Sequence, residues 1–225
     1  MSNHFSTLLA KNWGHPDKVV ARLEMINMYK EITGHQKLPN DREYWTMCGR
    51  NATPEGELIE NCEFDQLTKS GLITKDQWNG VELNKKIAND NQKLEGKWYQ
   101  GTLINTFLRF SKNPGLVNID HHCGSEKSCH LIKHIFNKIP NDCFVTINMV
   151  QRCGFYNSSI DSIIKDILKE TYPLVPYKKA TRYNGTDTNN TTMVMFYFYK
   201  SERSTTLSEL NTSNLQTHNL SISND

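Results

Sequence analysis

Five times in succession this chain follows a short apolar run with a helical pattern, and it then ends on two apolar runs with no helix between them. Strands are predicted at 44–48 (YWTMC), 78–83 (WNGVEL), 97–100 (KWYQ), 116–120 (LVNID) and 143–150 (CFVTINMV). Helices are predicted at 62–69, 84–94, 103–110, 126–138 and 159–170. In the last of these Ile160, Ile163, Ile164, Ile167 and Leu168 share one face. Asn84 is placed to cap the helix that it begins. Repeated strand–helix units make a parallel sheet with right-handed crossovers and helices on both faces. The strands at 174–182 and 192–199 flank the polar turn NGTDTNN, so they are predicted to pair as an antiparallel hairpin. MVMFYFY in the second of them has no charge over seven residues, a composition for the inside of a sheet and not for its edge. The expected fold is an α/β three-layer sandwich with a mostly parallel sheet of about seven strands, closed by an antiparallel C-terminal hairpin.

The flanks differ in character. In PDKVVARLEMINMYKEIT (16–33), Val19, Val20, Leu23 and Ile26 recur at helical spacing with charges between them. Asp17 stands at the start of this segment and Gly34 at its end. Residues 201–225 are rich in Ser, Thr and Asn and are expected to be disordered. The domain organisation expected is an N-terminal extension and leading helix over 1–40, one folded domain over 41–200, and the tail. A net charge of +2 over 225 residues does not match a protein whose main task is coating nucleic acid. No run of about 18 apolar residues is present to span a membrane. Near the N-terminus only Leu8, Leu9 and Ala10 form an apolar patch, too short for a signal peptide, so the expected compartment is the cytoplasm. The six cysteines then read as reduced thiols, and the Asn-x-Ser/Thr sequons at Asn51, Asn157, Asn184 and Asn190 as a consequence of Asn-rich composition.

Five strand–helix units followed by a hairpin whose last strand is buried resemble the Rossmann-like class I S-adenosylmethionine-dependent methyltransferases, over about residues 40–200. The resemblance implies a cofactor lying across the carboxyl ends of the first strands, at the switch point of the sheet. It implies S-adenosylmethionine as that cofactor. The family's acidic-Gly-x-Gly-x-Gly loop is matched here by Cys48-Gly49-Arg50-Asn51, with one glycine and no acidic residue before it; the next glycine is Gly56. Glu82, followed by Leu83, ends the second strand where the family has an acidic acceptor for the ribose hydroxyls. Gly101 and Thr102 follow the third strand, at the adenine position. Asp120, His121 and His122 follow the fourth, where the family carries catalytic or substrate-orienting groups. Asp120 would orient an acceptor amine, and a histidine would take its proton at neutral pH. Two histidines stand in place of the prolines of the amino-methyltransferase Asn/Asp-Pro-Pro-aromatic motif.

The reading that follows is a methyltransferase acting on nucleic acid or on a small molecule. Two others compete. One is a methyltransferase fold kept as a binding module, supported by the shortened glycine loop. The other is a metal-dependent hydrolase or nuclease using Asp120 and nearby histidines. His121, His122, Cys123, Cys129, His130 and His134 are crowded enough to suggest zinc, yet there is no C-x-x-C pair and no HExxH. A helix that buries Cys129 and exposes its histidines accounts for them more simply, so no metal is expected. Cys153 has no evident partner base and reads as a structural thiol. Tyr177, Lys178, Lys179, Arg182 and Tyr183 make a small basic and aromatic face; a solvated strand face is its commoner meaning, contact with nucleic acid the rarer one.

Overall fold

A computed structural model describes residues 16–121, 134–151, 174–184 and 192–200 of the chain. Seven strands, β1 (Glu43–Met47), β2 (Trp78–Glu82), β3 (Lys97–Gln100), β4 (Pro114–His121), β5 (Cys143–Gln151), β6 (Leu174–Asn184) and β7 (Thr192–Lys200), form one sheet in the order β3-β2-β1-β4-β5-β7-β6. β3 to β5 run parallel; β7 is antiparallel to both β5 and β6. The charge-free run MVMFYFY thus lies between two neighbours, as its composition requires, and β6 takes the edge. The sheet reverses its order between β1 and β4, the switch point at whose carboxyl side open α/β sheets bind ligands.

Side chains alternate across the sheet with a period of two. Tyr44, Leu116, Phe144 and Tyr197 enter one core; their neighbours Trp45, Val117, Val145 and Phe198 enter the other. The first core is covered by α1 (Pro16–Thr33) and α2 (Glu63–Lys69), the second by α4 (Leu103–Phe110). Residues 134–138 are helical, and Ile135 and Phe136 from this turn join the second core. α3 (Lys85–Asn91) packs along β2 and β3. The remainder of the helix predicted at 126–138, the helix predicted at 159–170 and the tail from 201 lie outside the described residues.

Strand and helix limits agree with the periodicity to within a few residues, because each is set by local signals. Asn84 caps α3, its Oδ1 accepting from the N–H groups of Lys86 (3.0 Å) and Ile87 (3.3 Å). Gly34, at φ 72°, ends α1 with its N–H on the Lys30 carbonyl at 3.0 Å. The inward face of α1 is where the sequence misled. Val20 and Leu23 are 61% and 48% exposed, while Ala21, Arg22, Met25, Ile26, Met28 and Tyr29 are buried. Arg22 is admitted to the core because its Nη1 donates to the Asn61 carbonyl and to Gln66 Oε1, both at 3.1 Å. Without a partner in view, its charge marks it as solvent-facing and rotates the assigned face.

Candidate functional site

The parallel strands end side by side, and the loops leaving them build the site. After β1 the Cys48 N–H continues the ladder onto the Val81 carbonyl (3.2 Å), and the chain then turns at Gly49, φ 56°, a conformation that Gly adopts without steric cost. Arg50 and Asn51 point inward. Arg50 Nη1 pairs with Asp90 at 2.8 Å with both side chains buried. Asn51 Nδ2 donates to the Cys48 carbonyl (3.0 Å), and its Oδ1 accepts the Phe64 N–H (3.1 Å) at the start of α2. Asn91, the last residue of α3, fastens the loop from the other side. Its Oδ1 accepts from the N–H groups of Asn51 (2.8 Å) and Ala52 (3.1 Å), and its Nδ2 donates to the Gly49 carbonyl at 2.7 Å. Beyond it the loop folds on itself through an antiparallel bridge between Ala52 and Leu58. The side chains of Arg50 and Asn51 therefore shape the loop, and Gly49 presents bare backbone at its turn.

Glu82 ends β2 half-buried, its Oε1 accepting the Asn84 N–H at 2.7 Å, and Leu83 beside it is 69% exposed. The Gly101 N–H donates to the Glu82 carbonyl at 3.0 Å, which ties the end of β3 to the end of β2. Thr102 caps α4. Asp120 lies near the end of β4, paired in register with Asn148 of β5. Its Oδ1 is buried with no hydrogen-bond partner, an orphan that calls for a donor. His121 is the last residue of β4; its side chain and all of His122 lie outside the described residues, as do Cys123, Cys129, His130 and Cys153. Among the described residues no three His, Cys, Asp or Glu side chains converge as metal ligands. Lys178, Lys179 and Arg182 lie on the edge strand β6, with side chains outside the description.

Beneath these ends runs a polar network that sequence reasoning missed. Glu63 opens α2 and is buried; its Oε1 accepts from the Tyr44 hydroxyl, Thr46 Oγ1 (2.8 Å) and Asn118 Nδ2 (3.0 Å). Asn118 Oδ1 in turn accepts from Thr146 Oγ1 (2.7 Å) and Asn148 Nδ2 (2.9 Å). The available signal was a set of polar residues (Thr46, Asn118, Thr146, Asn148) at alternate positions of otherwise apolar strands, which places them on one face. Such a network fixes the ends of β1, β4 and β5 relative to one another. Burial drives the Cys48 thiol well above its ordinary range, with the Glu63 and Glu82 carboxylates adding to the shift. A thiol buried in this way stays protonated and inert. Cys62 and Cys143 are likewise free and buried.

No protein-family model matches the sequence, and no curated protein does either. Solved structures do. A plantazolicin methyltransferase, determined with a substrate analogue and S-adenosylhomocysteine, superposes with a TM-score of 0.55 at 10% identity, over 88% of this chain and 96% of that one. Magnesium protoporphyrin IX methyltransferase from Synechocystis, with bound S-adenosylmethionine, gives 0.50 at 11% identity, over 89% and 92%. Trm5b from Pyrococcus abyssi gives 0.51 at 7% identity, over 85% of this chain; the chain spans about half of Trm5b, 51%. At such identities the likeness is one of fold. Strand order, the single reversed strand and these neighbours agree: the chain has the class I S-adenosylmethionine-dependent methyltransferase fold.

Proposed function

We propose that this chain is an S-adenosylmethionine-dependent methyltransferase whose acceptor is nucleic acid or a small molecule, with residues 41–200 as the catalytic domain. The observation that carries the reading is the placement of Gly49, Glu82, Gly101–Thr102 and Asp120 at the carboxyl ends of four adjacent strands, β1, β2, β3 and β4. The fit to the cofactor rests on three features. Gly49 offers backbone without a side chain, Glu82 offers an acceptor carboxylate beside the exposed Leu83, and Asp120 offers a buried oxygen that lacks a donor. In this reading Cys48, Gly49, Arg50 and Asn51 form the wall at the methionine end, with Arg50 and Asn51 acting through the loop they hold. Glu82 takes the ribose hydroxyls, Leu83 and Gly101–Thr102 flank the adenine, and Asp120, His121 and His122 border the acceptor.

S-adenosylmethionine supplies an electrophilic methyl group on a sulfonium. What the chain adds is position: a rigid network from Glu63 to Asn148 holds the strand ends so that donor and acceptor meet in line. The two small-molecule methyltransferases above are similar in fold over nearly all of both chains, which supports a small acceptor; a nucleic acid remains within the proposal. Calorimetric titration with S-adenosylmethionine and S-adenosylhomocysteine tests it. The wild type is expected to bind both, and Glu82→Ala to weaken both by about tenfold or more through two lost hydrogen bonds to the ribose. Absence of heat with either ligand would sink the reading. Binding with no methyl transfer to RNA, DNA or small-molecule acceptors would make the chain a binding module.

A further inference from the structure

α4 leads away from the carboxyl edge of the sheet. Thr102 caps its start at that edge. Its last residue, Phe110, stands about 12 Å back along the helix, where the Lys112 N–H donates to Glu43 Oε2 (3.0 Å) at the start of β1. Beside this end three rings are stacked nearly parallel. Trp45 of β1 lies on Tyr99 of β3 with centroids 5.5 Å apart and planes inclined by 17°. Tyr99 in turn lies on Phe110 at 5.4 Å and 18°. Exposure rises along the column: Trp45 is fully buried, Tyr99 half-buried and Phe110 43% exposed. The Tyr99 hydroxyl is turned inward and donates to Asn79 Oδ1 at 3.4 Å, which fixes the middle ring.

A stack open to solvent at one end accepts a further flat group, and the charges around it select which. The Arg109 guanidinium carbon lies over the Phe110 ring, 5.0 Å from its centroid. Lys97 stands two residues before Tyr99 on β3 and so shares its face of the sheet. Lys97, Arg109 and Lys112 are all exposed. The carboxylates nearby are engaged: Glu43 accepts from Trp45 Nε1 (2.9 Å) and from the Lys112 N–H, and Glu95 pairs with Lys75. The surface is therefore cationic as well as aromatic. A second copy of the chain suits it poorly. Only Leu108 and Phe110 are large exposed apolar residues on α4, whereas a stable protein interface buries about 800 Å² per partner around an apolar centre. A nucleotide complements both features, with a flat π face for the column and an anionic phosphate for the cations.

We propose that Phe110, Arg109 and Lys97 form a docking surface for single-stranded nucleic acid, one base continuing the stack at Phe110 and Arg109 and the flanking phosphates lying against Lys97 and Lys112. The surface is apart from the donor site at the strand ends, and the inference does not rest on donor binding. Fluorescence anisotropy with a labelled oligouridylate, and with an abasic oligomer of equal length that keeps the sugar–phosphate chain, tests it. The wild type is expected to bind the oligouridylate more tightly than the abasic oligomer. Phe110→Leu keeps an apolar cover on Tyr99 but removes the π face. It should weaken the oligouridylate by at least about fivefold, the low end of one base–aromatic stack, and shift the abasic oligomer by no more than about twofold. The same variant should unfold at the wild-type urea midpoint and bind S-adenosylhomocysteine as the wild type does. Lys97→Gln should weaken both oligomers and flatten the slope of log affinity on log salt by about 0.7. A wild type that binds neither oligomer, or both equally, overturns the docking surface, as does oligouridylate affinity unchanged in Phe110→Leu. A wild-type dimer in sedimentation that Phe110→Leu dissociates overturns it too, and assigns the patch to a second copy.

Discussion

Replacing Asn91 by Ala tests how the β1 loop is held. Asn91 is fully buried, and its Oδ1 is the partner of the Asn51 and Ala52 N–H groups, at 2.8 and 3.1 Å. Truncation strands both donors. The Gly49 carbonyl also loses a 2.7 Å bond but keeps a 3.3 Å one from Asn51 Nδ2. A buried donor left unpaired costs about 1–3 kcal/mol, so two imply about 3 kcal/mol after some water entry. That is a large part of a typical stability of about 5–15 kcal/mol. At a urea m-value of roughly 2–3 kcal/mol/M, the unfolding midpoint should fall by about 1–1.5 M. The control is Asn84→Ala, which removes the exposed N-cap of the same helix and should cost about 1 kcal/mol. If Asn91→Ala is no more destabilising than Asn84→Ala, the loop is not held as argued. Affinity for S-adenosylhomocysteine should fall with Asn91→Ala and stay near wild type with Asn84→Ala, because only the first releases the Gly49 turn.

Gly80→Ala should destabilise by about 1–3 kcal/mol through overpacking, since its Cβ would stand 2.6 Å from Trp78 Nε1 and 2.7 Å from the Trp98 ring; thermal unfolding followed by tryptophan fluorescence reads this, and a wild-type melting temperature would refute it. Alkali should unfold the protein: burial raises Cys62 from 9.0 and Tyr29 from 10.0, each to about 12. Because the folded pKa values are the higher ones, their contribution is complete below pH 9 for Cys62 and below pH 10 for Tyr29, and is lost as pH climbs towards 12. At about 1.4 kcal/mol per unit, roughly 4 kcal/mol is gone by about pH 11, so urea midpoints that do not fall between about pH 8 and 11 would refute these shifts.

The order of elements was legible because strands, helices and caps answer to neighbours in the chain. Asn84, Gly34 and the alternation in β4 and β5 carry their structural meaning locally. The interior position of β7 was legible too, since seven uncharged residues are unfavourable at an exposed edge. The positions of Glu82 and Asp120 at strand ends followed from the same pattern, and the resemblance told what a residue there would be for.

Other features depended on residues far apart in sequence. Arg50 and Asn51 look like solvent-facing loop residues until Asp90 and Asn91, some forty positions on, draw them inward. Arg22 and Glu63 carry charges that hydropathy assigns to the surface. Their bonds to Asn61, Gln66, Tyr44, Thr46 and Asn118 allow them to be buried. By itself the sequence determined which segments are strands and helices and which loops meet the carboxyl edge, for those depend on periodicity. Only the tertiary structure decided which polar side chains are buried and which charges face one another, because desolvation is tolerated only where a partner from another segment arrives.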